Sequence, residues 1–209
     1  MKKWKLILIL GPSWVWKWTL ISLLKERKNK FLEKIWKKPK YFFPISCTTR
    51  KPRIIKETWE LEKDWENYFF LSKEEFEKKI ENWEFLEYAH VHWETYYWTL
   101  KSQIIDPVND WKIVIREIDV QWFDLILNSW LLDRSLIWSI FIDIPEMRLL
   151  KNRIRDRAPI SEEELSKRME SLKKELVYRD KVDFLIKNIE NWVEKMYQDL
   201  LEKIDKIIK

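Results

Sequence analysis

Near the start of the chain, residues 5–10 read KLILIL and are followed at once by Gly11 and Pro12. A continuous apolar run of that length, closed by turn residues, predicts a buried strand. From 19 to 30 the apolar residues Leu20, Leu23 and Leu24 take helical spacing, so a helix follows the strand. A proline- and aromatic-containing stretch spans 39–43, and short polar segments continue to about residue 70. Ser72 then opens a helix through Glu75, Phe76 and Ile80 in the S-x-x-E pattern, in which the two polar side chains satisfy the first free N–H groups. Further strands are predicted at 112–118, 139–144 and 184–187, with helices near 123–128 and, highly charged, over 146–155, 161–177 and 191–208. Strand and helix alternate at both ends. The expected fold is therefore α/β, a parallel sheet flanked by helices and interrupted by an insertion.

Composition adds one anomaly to this picture. The 209 residues carry 40 basic and 35 acidic side chains, a net charge of +5. With 46% hydrophobic residues the chain can bury a full core as one domain. The apolar run at 5–10 is too short for a membrane span or the core of a signal peptide, so neither is expected. The single Cys47 excludes an internal disulfide and points to a reducing cytoplasm. The anomaly is 1 Gly against 15 Trp, where ordinary usage of roughly 7% would give about 15 Gly. Several Trp residues sit where turns want glycine, as in Ser13-Trp14, Asn82-Trp83, Asp110-Trp111 and Ser129-Trp130. The reading that accounts for both counts is that most of these positions are glycine in the natural protein, encoded by UGA, a codon that different genetic codes decode as Trp or as Gly. A Trp-rich binding protein is the competing reading, and it leaves the missing glycines unexplained.

The candidate chemistry begins directly after the first strand, at Gly11-Pro12-Ser13-Trp14-Val15-Trp16-Lys17-Trp18-Thr19. With Trp14, Trp16 and Trp18 read as Gly this becomes GPSGVGKGT, which matches the phosphate-loop pattern G-x-x-x-x-G-K through its lysine. Such a loop wraps its N–H groups around phosphate oxygens at a helix N-terminus, which requires residues without a Cβ. Lys17 adds charge at the transferred phosphoryl group. No hydroxyl follows Lys17 directly, and Thr19 is a partial substitute as a Mg²⁺ ligand.

From this point the chain resembles the guanylate kinase family along nearly its whole length. Ser46-Cys47-Thr48-Thr49-Arg50-Lys51-Pro52-Arg53 is similar to the family's S-x-T-T-R-x-P-R segment, which binds the GMP phosphate, and arginines suit bidentate clamping of a phosphate. Tyr68 and Tyr97 match two family tyrosines that complete that site. Glu60, in Trp59-Glu60, is preferred over Glu57 as the acid of the family's G-E pair. Glu87-Tyr88-Ala89 and the following Val91-His92-Trp93 and Tyr97-Trp98-Thr99 resemble the family's guanine-reading segment. A carboxylate at Glu87 can accept both the N1 and N2 donors of guanine, while Ser46 and Thr99 can serve the O6 and N7 edge.

Glu117-Ile118-Asp119-Val120-Gln121-Trp122 resembles the family's E-I-D-V-Q-G. The resemblance implies that Asp119 helps hold guanine and that Glu117 lies near the reacting phosphates and Mg²⁺. Arg116 departs from the apolar residue usual at that position. Arg153, Arg157 and Arg168 fit the spacing of the family's lid arginines, and Asn188 would lie on the adenine side of ATP. The implied organisation is a P-loop nucleoside monophosphate kinase with its core at 1–39, 100–149 and 167–209, a GMP-binding region at 40–99 and a lid at 150–166. The implied partners are ATP and GMP, with no membrane or nucleic acid. The alternative is an inactive relative that binds phosphoproteins through the arginine site, and the presence of Lys17 with the lid arginines counts against it.

Overall fold

The chain is described from a computed structural model over residues 5–12, 15–29, 41–55, 59–86, 97–110, 112–129, 132–144, 146–157, 160–188 and 192–209. Its first strand, β1 (Lys5–Leu10), runs through the middle of a five-stranded sheet. Leu6, Ile7, Leu8, Ile9 and Leu10 are all fully buried because side chains alternate between two covered faces. Ile7 and Ile9 pack with Leu20, Leu24, Leu200 and Ile204 on one side. Leu6, Leu8 and Leu10 pack with Ile104, Val108 and Phe123 on the other.

The sheet order is β2-β6-β1-β7-β8, all parallel, formed by β2 (Tyr41–Phe42), β6 (Ile113–Glu117), β7 (Ile137–Asp143) and β8 (Phe184–Lys187) around β1. Helix α1 (Lys17–Leu24), which continues as a π-helical turn at Lys25–Asn29, follows β1, and α4 (Val120–Asn128) follows β6. The C-terminal helix α7 (Val193–Ile208) lays Met196, Tyr197, Leu200, Ile204 and Ile207 against the core. Those positions recur every three or four residues, as an amphipathic helix requires. Loops from the C-terminal ends of β1, β6 and β7 converge at one edge, where open α/β sheets place their ligands.

A second sheet, β4-β3-β5, is made from β3 (Cys47–Thr48), β4 (Phe69–Phe70) and β5 (Tyr97–Trp98). Its core is aromatic: Phe76 lies 4.7 Å from Phe85 and 4.5 Å from Trp98, ring centre to centre. Cys47 is fully buried beside them, and burial pushes its thiol up to about 12. Helix α2 (Lys73–Glu81) covers this cluster through Phe76. The Ser72 hydroxyl accepts from the Glu75 N–H at 3.1 Å while the Glu75 carboxylate accepts from the Ser72 N–H at 2.8 Å, the reciprocal cap expected from the sequence.

Three features depart from the sequence reading. Tyr41–Phe42 pairs with β6 in the main sheet, although the sequence placed it in the insertion. Two-residue strands carry no periodic signal, so β2, β3, β4 and β5 were invisible to pattern. Helix α3 (Ser102–Asn109) contains Pro107, whose presence argues against a helix on composition alone. The charged helices α5 (Met147–Arg157) and α6 (Glu162–Leu176) agree with expectation to within two residues at each end.

The non-glycine residues with left-handed φ, among those described, are Trp16 (70°), Trp59 (58°), Trp65 (65°) and Trp83 (56°). Every one is a tryptophan, and a residue with a Cβ pays about 1–2 kcal/mol for that conformation.

Candidate active site

Gly11 directly follows β1 with φ 142°, and a Cβ added there would stand 2.6 Å from the carbonyl oxygen of Ile142. The loop therefore starts at a position only glycine can fill. Its far end is Trp16, which caps α1 in the left-handed conformation, its carbonyl accepting from the Leu20 N–H at 3.0 Å. Lys17, the first residue of α1, reaches back so that Nζ donates to the carbonyls of Gly11 (2.7 Å) and Pro12 (2.8 Å). The same Nζ is 3.7 Å from Glu117 Oε1. Burial lowers the Lys17 pKa, against the opposing pull of Glu117, Glu175 and Asp119.

Asn188 follows β8 and is buried, donating from Nδ2 to the Val15 carbonyl at 3.0 Å. It thus braces the phosphate loop from below, a place the expectation of an adenine contact did not foresee. Thr19 is half-buried within α1, and Trp18 is 72% exposed on the cleft wall. Ser13 and Trp14 lie outside the described residues.

The cleft that opens from this loop has a volume of about 640 Å³ and is lined by Lys17, Ser46, Tyr68, Arg116, Glu117 and Asp119 among others. It therefore joins the phosphate loop of the main sheet to the segment leading into the small sheet. Asp119 also caps α4, its Oδ1 accepting from the Gln121 N–H at 3.1 Å. Glu175, from α6, lines the same cleft and was not singled out from sequence.

Arg50 is gripped on two sides. Its guanidinium donates to both oxygens of Glu62, at 2.5 and 2.8 Å, and its charge sits 4.7 Å from the centre of the Tyr68 ring. The Glu62 carboxylate also accepts from the Arg53 N–H at 2.9 Å, and the Arg50 hydrogen bonds hold its pKa below the ordinary carboxylate value. The acid joined to the candidate phosphate arginines in this structure is therefore Glu62, whereas the sequence reading chose Glu60. Ile54 pairs antiparallel with Leu61, and the Glu62 N–H donates to the Arg53 carbonyl at 2.9 Å, so Glu62 falls opposite Arg53. Glu60 falls opposite Ile55, exposed and 3.6 Å from Lys63. A hairpin pairing traced back from Arg53 would have found Glu62; motif spacing alone did not.

The Ser46 Oγ and Thr99 Oγ1 each accept from Arg116 Nη2 at 2.7 Å, so these two hydroxyls meet at one guanidinium. Tyr97 lies in β5, while Glu87 lies outside the described residues. Arg153 and Arg157 are both on α5. Arg168, on α6, is paired with Glu164 at 2.5 Å on an exposed surface and does not line the cleft. No group of three or more His, Cys, Asp or Glu able to hold a metal occurs among the described residues. A Mg²⁺ ion bound with nucleotide needs only one or two carboxylates plus phosphate oxygens, and Glu117, at the cleft beside Lys17, fits that need.

A parallel sheet whose first strand runs through a glycine-opened loop into a helix that begins with lysine defines the P-loop phosphotransferase class. The guanylate kinase family model matches residues 3–207. The chain is 38% identical over 208 residues to the guanylate kinase of Clostridium tetani, covering 100% of this chain and 86% of that one. It is 35% identical over 207 residues to the guanylate kinase of Mycoplasmopsis pulmonis, covering 99% and 94%. The crystal structure of guanylate kinase from Anaplasma phagocytophilum shares the fold, with a TM-score of 0.68 and 20% identity over 100% of this chain and 88% of that one. The chain belongs to the guanylate kinase family. No helix among the described residues is long and apolar enough to cross a membrane.

Proposed function

We infer from the cleft how the guanylate kinase reaction, transfer of the γ-phosphoryl group of ATP to GMP to give ADP and GDP, is carried by this chain. The observation that carries the assignment is that Lys17, Glu117, Ser46 and Tyr68 line one cleft between the phosphate loop and the small sheet. ATP binds with its phosphates along 11–19, where the backbone N–H groups and the start of α1 favour anions. Lys17 leaves the Gly11 and Pro12 carbonyls to neutralise the transferred group. GMP binds with its phosphate at Arg50, Arg53, Tyr68 and Tyr97, and its base at Ser46, Thr99, Glu87 and Asp119. The GMP phosphate is already an anionic nucleophile, so alignment and charge neutralisation carry the catalysis and no general base is needed. Glu117 and Thr19 are the residues that would hold Mg²⁺, which would supply charge neutralisation at the donor phosphates. Arg153, Arg157 and Arg168 belong to a lid at 150–166 and its border, which brings cations over the transferring group and excludes water. The GMP-binding region is 40–99 apart from Tyr41–Phe42, which pairs in the main sheet, and outside that region and the lid the chain is core.

Glycine at 14, 16 and 18 belongs to the same reading. Left-handed tryptophans confined to turns and the phosphate loop are what a sheet and helices selected around glycine would impose on any substitute. An indole at 14, 16 or 18 fills space that phosphate oxygens need. Two preparations test the reading: the chain as written and the chain with glycine at these three positions. The glycine form is expected to release ADP in the presence of GMP far faster than with AMP or UMP, and the written form to be nearly inactive. Equal rates with AMP overturn the guanine assignment. Equal ATP affinity and turnover in the two forms overturn the glycine reading, as would UGG codons at 14, 16 and 18 in the gene.

A further inference from the structure

Arg116 is the residue that motif comparison left without a purpose. It lies in β6 opposite Leu8 of β1, in a strand whose preceding residues, Ile113, Val114 and Ile115, are buried. A guanidinium in that setting needs partners. Nη1 donates to the Pro44 carbonyl at 3.1 Å, and Nη2 donates to Ser46 Oγ and to Thr99 Oγ1, both at 2.7 Å. Nε is buried with no hydrogen-bond acceptor. The arginine thus ties the main sheet to both segments that carry the candidate base-reading hydroxyls, and it lines the cleft with Ser46.

The direction of these hydrogen bonds has a chemical consequence. A guanidinium can only donate, so the Ser46 oxygen that receives it acts as acceptor on that side and its own O–H must point elsewhere. Ser46 borders the cleft, and the positive charge behind its oxygen strengthens the O–H as a donor. With one lone pair taken by Arg116, the Ser46 O–H is left to donate, which suits a purine that presents an acceptor at position 6, whereas an amino group there gives that O–H no acceptor. We propose that Arg116 is a positioning residue for substrate selection, setting the Ser46 hydroxyl as a donor to the 6-oxo group of the nucleobase. The proposal rests on the guanine reading of this site and adds the residue that fixes its polarity.

The test measures equilibrium binding of GMP, IMP and 6-thio-GMP to the full chain without ATP, so that the phosphate loop does not enter. IMP keeps the 6-oxo group and lacks the 2-amino group. 6-Thio-GMP keeps the 2-amino group and replaces the oxygen by a weaker sulfur acceptor. Arg116→Leu is expected to reduce the preference for GMP over 6-thio-GMP about tenfold, the size of one well-placed hydrogen bond, while the preference for GMP over IMP stays as in the parent. Ser46→Ala should give the same loss, and the double variant no further loss. Should Arg116→Leu fail to fold, Arg116→Lys replaces it: a lysine cannot hold both hydroxyls in one plane, so the 6-position preference should still fall. Unchanged ratios, equal falls in both ratios, or additive losses in the double variant overturn the proposal. Failure of the parent chain to bind GMP at all overturns the guanine reading itself, a result distinct from any of these.

Discussion

Arg50 is held by Glu62 across one edge and by the Tyr68 ring across its face, which leaves little freedom for the guanidinium to reorient. Glu62→Gln keeps the shape of the pair and removes its charge. The KM for GMP is expected to rise about tenfold, corresponding to about 1.4 kcal/mol, with kcat little changed, as read by steady-state kinetics at saturating ATP. The lowered Glu62 pKa also gives a pH signature. The carboxylate contributes stability above its unfolded value of about 4.3, and that contribution disappears as pH falls through the lower folded value. Denaturant titrations should therefore find Glu62→Gln less stable than the parent at neutral pH and no different well below pH 4. Trp59 and Trp83 give a second prediction at this scale. They are 82% and 80% exposed and left-handed, so they have backbone strain with little burial to offset it. Replacement by Gly should stabilise the chain by about 1 kcal/mol at each position, whereas Ala, which keeps the Cβ, should give no such gain. Trp98 is different in kind, being 3% exposed between Phe76 and Phe85.

The elements best read from sequence are those whose local chemistry is complete in itself. Ser72 and Glu75 satisfy each other's N–H groups within four residues, so α2 began where its pattern said. Ser72→Ala should cost about 1 kcal/mol in urea unfolding, with the loss recovered by Asp at the same position. Strand β1 was equally legible because burial on both faces demands unbroken apolar sequence. What could not be read is what depends on a partner distant in sequence. Glu62 gains its meaning from pairing across a hairpin with Arg53, and Arg116 from Ser46 and Thr99, which are 70 and 17 residues away. Asn188 was expected beside the nucleotide, and the bond it makes to the Val15 carbonyl depends on β8 lying beside β7. Spacing nominates residues; pairing decides which atoms they meet.

For the whole molecule, the main sheet supplies the phosphate loop and the small sheet supplies the aromatic platform and Arg50, with the cleft between them. The small sheet has only two residues in each strand and leans on five buried side chains, so its opening should need less free energy than unfolding of the main core. Cys47 makes that opening visible. As the sole thiol, fully buried in β3 and hard to ionise, it cannot react with a disulfide reagent while the strand is paired. Labelling of this one sulfur is therefore a clock that runs only when the small sheet loosens. GMP should slow the clock in proportion to its occupancy, and ATP alone should leave it almost unchanged. A colorimetric trace in the presence of each nucleotide would read the motion of one half of the molecule without any engineered probe.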